Sequence, residues 1–431
     1  MRGYDLLGVS SPKITLSHCE QPVVAEIQGL YGPFSFPEVL LQKIWMRGDF
    51  DRAAAKTTDG QAVRILYPGK WNLLGGPDFK GARLGIGARE TSGDVELHLH
   101  AVDWDAHRHA ADPGYDSVAL HAVLFPPEPG YVTRGAGGHS IPTLPLLSLL
   151  FHDLEEYAAA EAIETLANRP GVGLIRELGV LPAEELAALI HGHARKRWRQ
   201  KIHFARLRIK RLGWDEACHH VALEILGYRF NRVPMLRIAA QFPLATWSTG
   251  AIEPGLAYAA EEAGWGLQGV RPANRPRMRV EQYSRWSRAR PSWVKHLEEV
   301  GRELPLGDVT TGVRASDFRR EHKVAGLRRK LGEELVADAL GGTRFDTLVC
   351  DGFLPMLAAR AGSELESLWF HWYAGDQPPH IRQALRTLGL SGLSGSPICQ
   401  GLAQGFLGWL IEREARSASA RTRGAPLGRG A

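Results

Sequence analysis

Five of the chain's seventeen histidines, His98, His100, His107, His109 and His121, fall between residues 98 and 121, where an even spread would place about one. The same stretch carries Glu96, and shortly upstream Asp78 ends the run Gly75-Gly76-Pro77-Asp78. Carboxylates and imidazoles at this density are a metal-ligand set. Two carboxylates favour Mg²⁺ or Mn²⁺, whereas an imidazole-rich set favours Zn²⁺ or Fe²⁺. Either kind of ion can polarise a phosphodiester and lower the pKa of a water.

The element that must position these groups is a strand. Asp94 to Val102 alternates strictly, so Val95, Leu97 and Leu99 share one face and Glu96, His98 and His100 share the other. The apolar face commits the strand to a core and leaves its second face as solvent surface or site. Asp78 stands just before another strand-like run, Ala82 to Ala88, and sequential strands are often neighbours in space. An acid entering one and an acid within the next can then meet over a shared edge. Asp78, Glu96, His98 and His100 are the expected metal ligands, with Asp78, Glu96 and His98 catalytic. His107 and His109 lie in a polar connection that reads as surface loop, and His121 sits in the strand Val118 to Phe125.

Pro77-Asp78 and Glu96-Leu97-His98 resemble the signature of the PD-(D/E)xK phosphodiesterase superfamily, an acid after proline in one strand and an acid-x-lysine in the next. His98 stands in the lysine position. The resemblance implies a restriction-endonuclease-like fold, a divalent ion, and a helical glutamate before the first strand, for which Glu38 is the match. Glu38 also follows Ser35 at the S-x-x-E spacing, so its plainer role is to close a capping box. A longer resemblance runs over roughly Glu38 to Glu412. Pro68-Gly69-Lys70-Trp71-Asn72, Gly76-Pro77-Asp78-Phe79, Gly93 to His98, Asp103-Trp104, His107-Arg108-His109, Tyr115-Asp116, Leu120-His121, Gly227 to Asn231 and Arg271 to Asn274 are similar to an uncharacterised family of bacterial proteins, a domain of unknown function. That resemblance implies no activity.

A helix from Glu38 to Trp45, closed by Gly48, precedes strand-like runs at Ala62 to Leu66, Ala82 to Ala88, Asp94 to Val102 and Val118 to Phe125. A hairpin is expected from Tyr131 to Leu144 around Gly135-Ala136-Gly137-Gly138. Beyond Leu149 the pattern is helical. A long helix begins at Pro182, and others are expected at 215–226, 233–240, 281–287, 292–303, 317–339, 354–368 and 379–388. The fold class is therefore an α/β N-terminal domain, a mixed sheet with a flanking helix, over residues 25–148. A mainly α-helical domain is expected over 149–415, with a disordered basic tail at 416–431.

At 44% hydrophobic and 23% charged, the 431-residue chain is an ordinary globular composition. Its four cysteines show no paired spacing, and no stretch reaches the roughly 18 apolar residues of a membrane span, so a cytoplasmic protein is expected. The net charge of +5 falls to +1 without the tail arginines Arg416, Arg421, Arg423 and Arg429. Charge matters instead on the long helix, where nine cations from Arg195 to Arg211 are uninterrupted by an acid; Arg195, Arg199, Arg206 and Lys210 are the candidate nucleic-acid contacts. The leading expectation is a metal-dependent phosphodiesterase acting on nucleic acid with Mg²⁺ or Mn²⁺. The alternatives are a histidine-rich Zn²⁺ or Fe²⁺ enzyme acting on a small molecule, and an inactive nucleic-acid-binding or scaffold protein.

Overall fold

The computed structural model describes residues 36–72, 75–150, 154–168, 172–261, 264–267, 272–307, 314–362, 364–390 and 397–423. Ser35, Cys19, Arg271 and the expected domain start at residue 25 lie outside them. A helix, α1 (Glu38–Arg47), leads into a six-stranded sheet of β1 (Val63–Tyr67), β2 (Lys70–Trp71), β3 (Phe79–Ile86), β4 (Arg89–His98), β5 (Val118–Val123) and β6 (Thr143–Pro145). The order is β1-β3-β4-β5-β6, with β2 paired to β3. β1, β3 and β4 run antiparallel, then the chain crosses over and β5 and β6 add in parallel. The N-terminal part is thus a mixed sheet with helices, and the remainder of the chain is mostly helical.

Two local expectations are corrected. β4 stops at His98, because the chain turns there and the backbone N–H of His100 donates to Asp103 Oδ2 at 2.9 Å. The expected hairpin from Tyr131 to Leu144 is reduced to one bridge between Arg134 and Ser140. Gly137 and Gly138 both adopt positive φ there, which opens a wide loop, and Pro142 and Pro145 cannot donate to a ladder. The short β6 pairs instead in parallel with β5.

One face of the sheet is apolar as the alternation requires: Val95, Leu97, Leu120 and Ala122 are buried against Leu41, Ile44 and Trp45 of α1. Full burial of side chains as large as Val, Leu or Ile stabilises by about 1.5–3 kcal/mol each. This core does not end at residue 148. It continues into α2 (Leu154–Asn168), the first turns of α3 (Ala183–Leu212), and Ile381, Leu385, Phe406 and Leu410 near the far end of the chain. A second core, rich in tryptophan (Trp198, Trp247, Trp286, Trp293, Trp369, Trp372), lies wholly within the helical part. α3 serves both, with Leu186 and Ile190 in the first and Ala194 and Trp198 in the second. Its companion is the last helix, α6 (Gln400–Arg423), and Gly405 allows their approach: a Cβ there would stand 2.2 Å from the Ile190 carbonyl oxygen. α6 runs on through residues 416–423 of the expected tail, and the rest of that tail lies outside the described residues. Among the shorter helices between them in the chain are α4 (Trp214–Leu226) and α5 (Pro379–Thr387). Among the described residues no helix is long and apolar enough to cross a membrane.

Candidate metal centre

The antiparallel register of β3 and β4 sets Phe79 opposite Val95, which brings Asp78 opposite Glu96. The two are locked reciprocally. The backbone N–H of Asp78 donates to Glu96 Oε2 at 3.0 Å, and the N–H of Leu97 donates to Asp78 Oδ2 at 3.0 Å. A bulge between Phe79 and Ala82 comes at once, a common device for aiming side chains beside a site.

Asp78 Oδ1 accepts from Gln42 Nε2 at 2.6 Å, and Gln42 Oε1 accepts from the Trp71 indole at 3.1 Å. Because an indole only donates, the amide has one orientation, and its N–H₂ must face Asp78. The third acid is Glu38, first residue of α1. The N-terminal cap of that helix is Pro37, with no side-chain bond, so Glu38 does not act in the expected capping box. Its carboxyl accepts instead from the Leu99 backbone, and its field reaches both Asp78 and Glu96. Burial, and then the charge of Asp103, pushes Glu38 up to about 7. Burial, with the charges of neighbouring acids adding to it, pushes Asp78 and Glu96 upward as well. Three carboxyls in one poorly solvated place disfavour their own ionisation, and a cation between them would reverse this.

On the same side, parallel pairing sets Glu96 beside His121 and His98 beside Val123. His98 is the hub of four imidazoles. Its Nδ1 meets His121 Nε2 at 2.9 Å; its Nε2 meets His107 Nδ1 at 3.1 Å and His109 Nε2 at 3.3 Å. Glu96 Oε1 lies 3.5 Å from both His98 Nε2 and His109 Nε2. The nitrogens of His98, His107 and His109 all lie within 4.8 Å of one another. Burial, reinforced by the other rings, drives His98 and His121 far down, the latter to about 3, and His109 down to about 4. All three are neutral near pH 7, the state in which imidazole ligates metals.

A chain of short contacts backs His98. Thr133 and Thr143 share a hydrogen bond between their hydroxyls at 2.9 Å, Thr133 Oγ1 meets His121 Nδ1 at 2.9 Å, and His121 Nε2 meets His98 Nδ1 at 2.9 Å. When His121 Nδ1–H donates to Thr133 and His98 Nδ1–H donates to His121 Nε2, His98 Nε2 presents a lone pair to His107, His109 and Glu96. Outer support of this kind orients a ligating histidine.

The polar connection that carries His107 and His109 is expected to be surface loop; the structure leaves His107 exposed with its Nδ1 at His98 Nε2, and buries His109. Arg108 between them adopts φ 59°. A left-handed non-glycine residue costs on the order of 1 kcal/mol, and here it swings two alternate side chains toward the same point. His109 is buried, stacked on Tyr115 at 3.8 Å and edge-on to Trp104 at 5.2 Å, while His107 is exposed at the mouth. His100 is the opposite case: it is exposed, stacks on Phe125 at 4.9 Å and lies outside the histidine cluster. The early end of β4 removes it from the Glu96 face. The only sequence signal for His107 and His109 is histidine density; for Gln42, Thr133 and Thr143 there is none.

The basic run on α3 divides between faces. Arg195 pairs with Glu366 at 2.8 Å, and Arg197 and Arg208 are buried, the latter against Glu224 at 2.5 Å. Arg199, Arg206 and Lys210 are exposed with no carboxylate partner among the described residues. The chain matches a family model described as Protein of unknown function (DUF2851) over residues 38–255, about half its length, and this span contains every residue of the centre. No curated protein and no solved structure matches it.

Proposed function

We propose that this chain, which belongs to the DUF2851 family, is a metal-dependent hydrolase of phosphodiesters whose ion is held by Glu96, His98, His107 and His109. The observation that carries the reading is the spacing of the donors. Ligands 2.0–2.1 Å from a tetrahedral zinc stand about 3.3 Å from one another. His98 Nε2 stands 3.1, 3.3 and 3.5 Å from atoms of His107, His109 and Glu96, and the nitrogens of the three histidines lie within 4.8 Å of one another. Three nitrogens and one carboxylate oxygen fit Zn²⁺ or Mn²⁺ better than Mg²⁺. The phosphodiester assignment is supported by the resemblance of Pro77-Asp78 and Glu96-Leu97-His98 to the PD-(D/E)xK signature, with histidine in the lysine position, and by the acid on the preceding helix, beside a mixed sheet in which two parallel strands follow three antiparallel ones.

A divalent ion in this place supplies Lewis acidity toward a phosphoryl oxygen and a more acidic water. The protein supplies the rest. Thr143, Thr133 and His121 hold His98 in its ligating tautomer. Gln42 and the Leu97 N–H orient Asp78, whose carboxyl burial raises toward neutrality, where it can take a proton from the nucleophile or return one to the leaving group. His98 in the lysine position cannot provide a permanent cation, so neutralising developing charge falls to the ion. Arg199, Arg206 and Lys210 on α3 are the candidate contacts for a nucleic-acid backbone. The test is turnover of bis-p-nitrophenyl phosphate, DNA and RNA with Zn²⁺, Mn²⁺ or Mg²⁺. Activity is expected with the first two and lost in His98→Ala and Asp78→Ala; cutting that survives both removes the assignment. The imidazole majority also favours a second reading, hydrolysis or oxidation of a small molecule at the same ion. Stoichiometric iron in protein purified without added metal, with no phosphodiester turnover, selects that one.

A further inference from the structure

Far along the chain from the histidines, the helical part encloses a cavity of about 1090 Å³. Its walls come from α2, α3, α4, α5 and α6, from residues between 325 and 356, and from the segment 373–379. Seven basic side chains line it against four acidic ones. The acids are engaged: Lys201 with Asp351 at 3.0 Å, Arg328 with Asp346 at 2.7 Å, Arg344 with Asp376 at 2.6 Å, and Arg232 near Glu224 at 3.9 Å. Arg382 and Arg386, one turn apart on α5, are exposed and have no carboxylate partner among the described residues. A concave, low-dielectric wall with excess positive charge focuses its field on whatever enters.

We propose that this cavity binds a nucleotide, with Arg382 and Arg386 gripping its phosphates. The volume decides against a bare inorganic anion, since it lies at the top of the roughly 300–1,000 Å³ typical of ligand pockets, so the anionic group must carry a sizeable body. The remaining lining suits a nucleoside. Phe204 and Tyr373 line it with rings, the latter already under the Arg319 guanidinium at 4.3 Å, and Gln377 offers an amide for a base edge or sugar, beside Asn274, whose Oδ1 accepts from Arg279 at 2.6 Å. The stripe of α3 turned inward is Arg197, Gln200, Lys201 and Phe204, at steps of three and four, whereas Arg199 and Arg206 face elsewhere. The long basic helix therefore presents separate cationic faces, and this one serves a contained ligand instead of an extended backbone.

The inference does not depend on the metal centre, and its test is run in EDTA with the full chain. Titration calorimetry with ADP should give saturable binding that weakens as salt rises and falls at least tenfold in Arg382→Ala/Arg386→Ala, whose exposed positions leave the unfolding temperature unchanged. A 5′-phosphorylated dinucleotide that binds more tightly than ADP identifies the nucleotide as the end of a strand; the reverse order identifies a free nucleotide. Pyrophosphate binding as tightly as ADP would overturn the nucleoside assignment. Failure of ADP and the dinucleotide to saturate by 5 mM, or equal affinities in the double variant, would overturn the site.

Discussion

Thr133→Val tests the hydrogen-bond chain behind His98 with nearly no change of shape. The hydroxyl lost bonds both His121 Nδ1 and Thr143 Oγ1, each at 2.9 Å in a fully buried place, and the tautomer argument has it accept from the first. Leaving that imidazole N–H without an acceptor costs about 1–3 kcal/mol of stability. The functional effect is separate. With its anchor gone, His121 can carry its proton on Nε2, which turns His98 around and puts a proton where the lone pair is needed. Loss of outer-shell support of this kind typically weakens a metal 10–100-fold, about 1.4–2.7 kcal/mol. The assay is competition for Zn²⁺ against a chromophoric chelator at pH 7.5, beside thermal unfolding in EDTA. Thr143→Val serves as comparison. It leaves Thr133 able to accept from His121, so its affinity loss should be the smaller of the two. Should Thr133→Val be destabilised yet bind zinc within threefold of the parent, the tautomer argument is wrong and the chain of hydrogen bonds is only structural.

His107→Ala removes an exposed donor, so zinc affinity should drop at least a hundredfold while the unfolding temperature in EDTA stays within about 2 °C; an equal loss of both would mean that His107 packs and does not ligate. Gln42→Leu takes away the donor to ionised Asp78, and the acid limb of the turnover profile should move up by about one pH unit, read from kcat/KM between pH 5 and 9. In metal-free protein, Glu38 sits at about 7 against 4.5 unfolded, so the folded state holds a proton that the unfolded state has released, and this contribution to stability is lost as pH rises from about 4.5 through 7. Glu38→Gln should therefore gain stability over the parent at pH 8 in EDTA, by up to a few kcal/mol, and show no gain at pH 4; urea unfolding at the two pH values checks the sign. The buried His219, lowered to about 4 by burial, acts oppositely: its contribution falls away as pH drops from 6.5 toward 4. Acid unfolding in that window should persist in Glu38→Gln.

The parts of the site legible in the sequence are those that depend on backbone period. Alternation alone places Val95, Leu97, Glu96 and His98 on their faces, and the pairing of Asp78 with Glu96 comes from sequential strands being neighbours. The parts that are not legible depend on a dihedral angle or on distant partners. His107 and His109 converge because Arg108 is left-handed, an uncommon conformation for arginine that no pattern announces. His100 falls outside the site because period two says nothing about where a strand stops. The run on α3 is plain as a helix and as a charge cluster, but the assignment of Arg197 to a cavity and Arg199 to the surface rests on Glu366, Asp351 and Gln404, each more than 140 residues away. The break at Lys323 in the expected helix 317–339, where φ is 49°, is the same kind of event as Arg108.

The passage of the sheet core into Ile381, Leu385, Phe406 and Leu410 has a consequence for synthesis. The strands and the metal-binding loop are complete once Leu150 has left the ribosome, but Ile381, Leu385, Phe406 and Leu410, whose helices pack on α2 in the same apolar cluster, are made some 230–260 residues later. At 5–20 residues per second that interval is roughly 12–50 s. Through it the side of α2 that α5 and α6 cover stays open, an apolar surface that favours holding chaperones and association between chains on one messenger. Completion of the first core is thus timed by the emergence of α6.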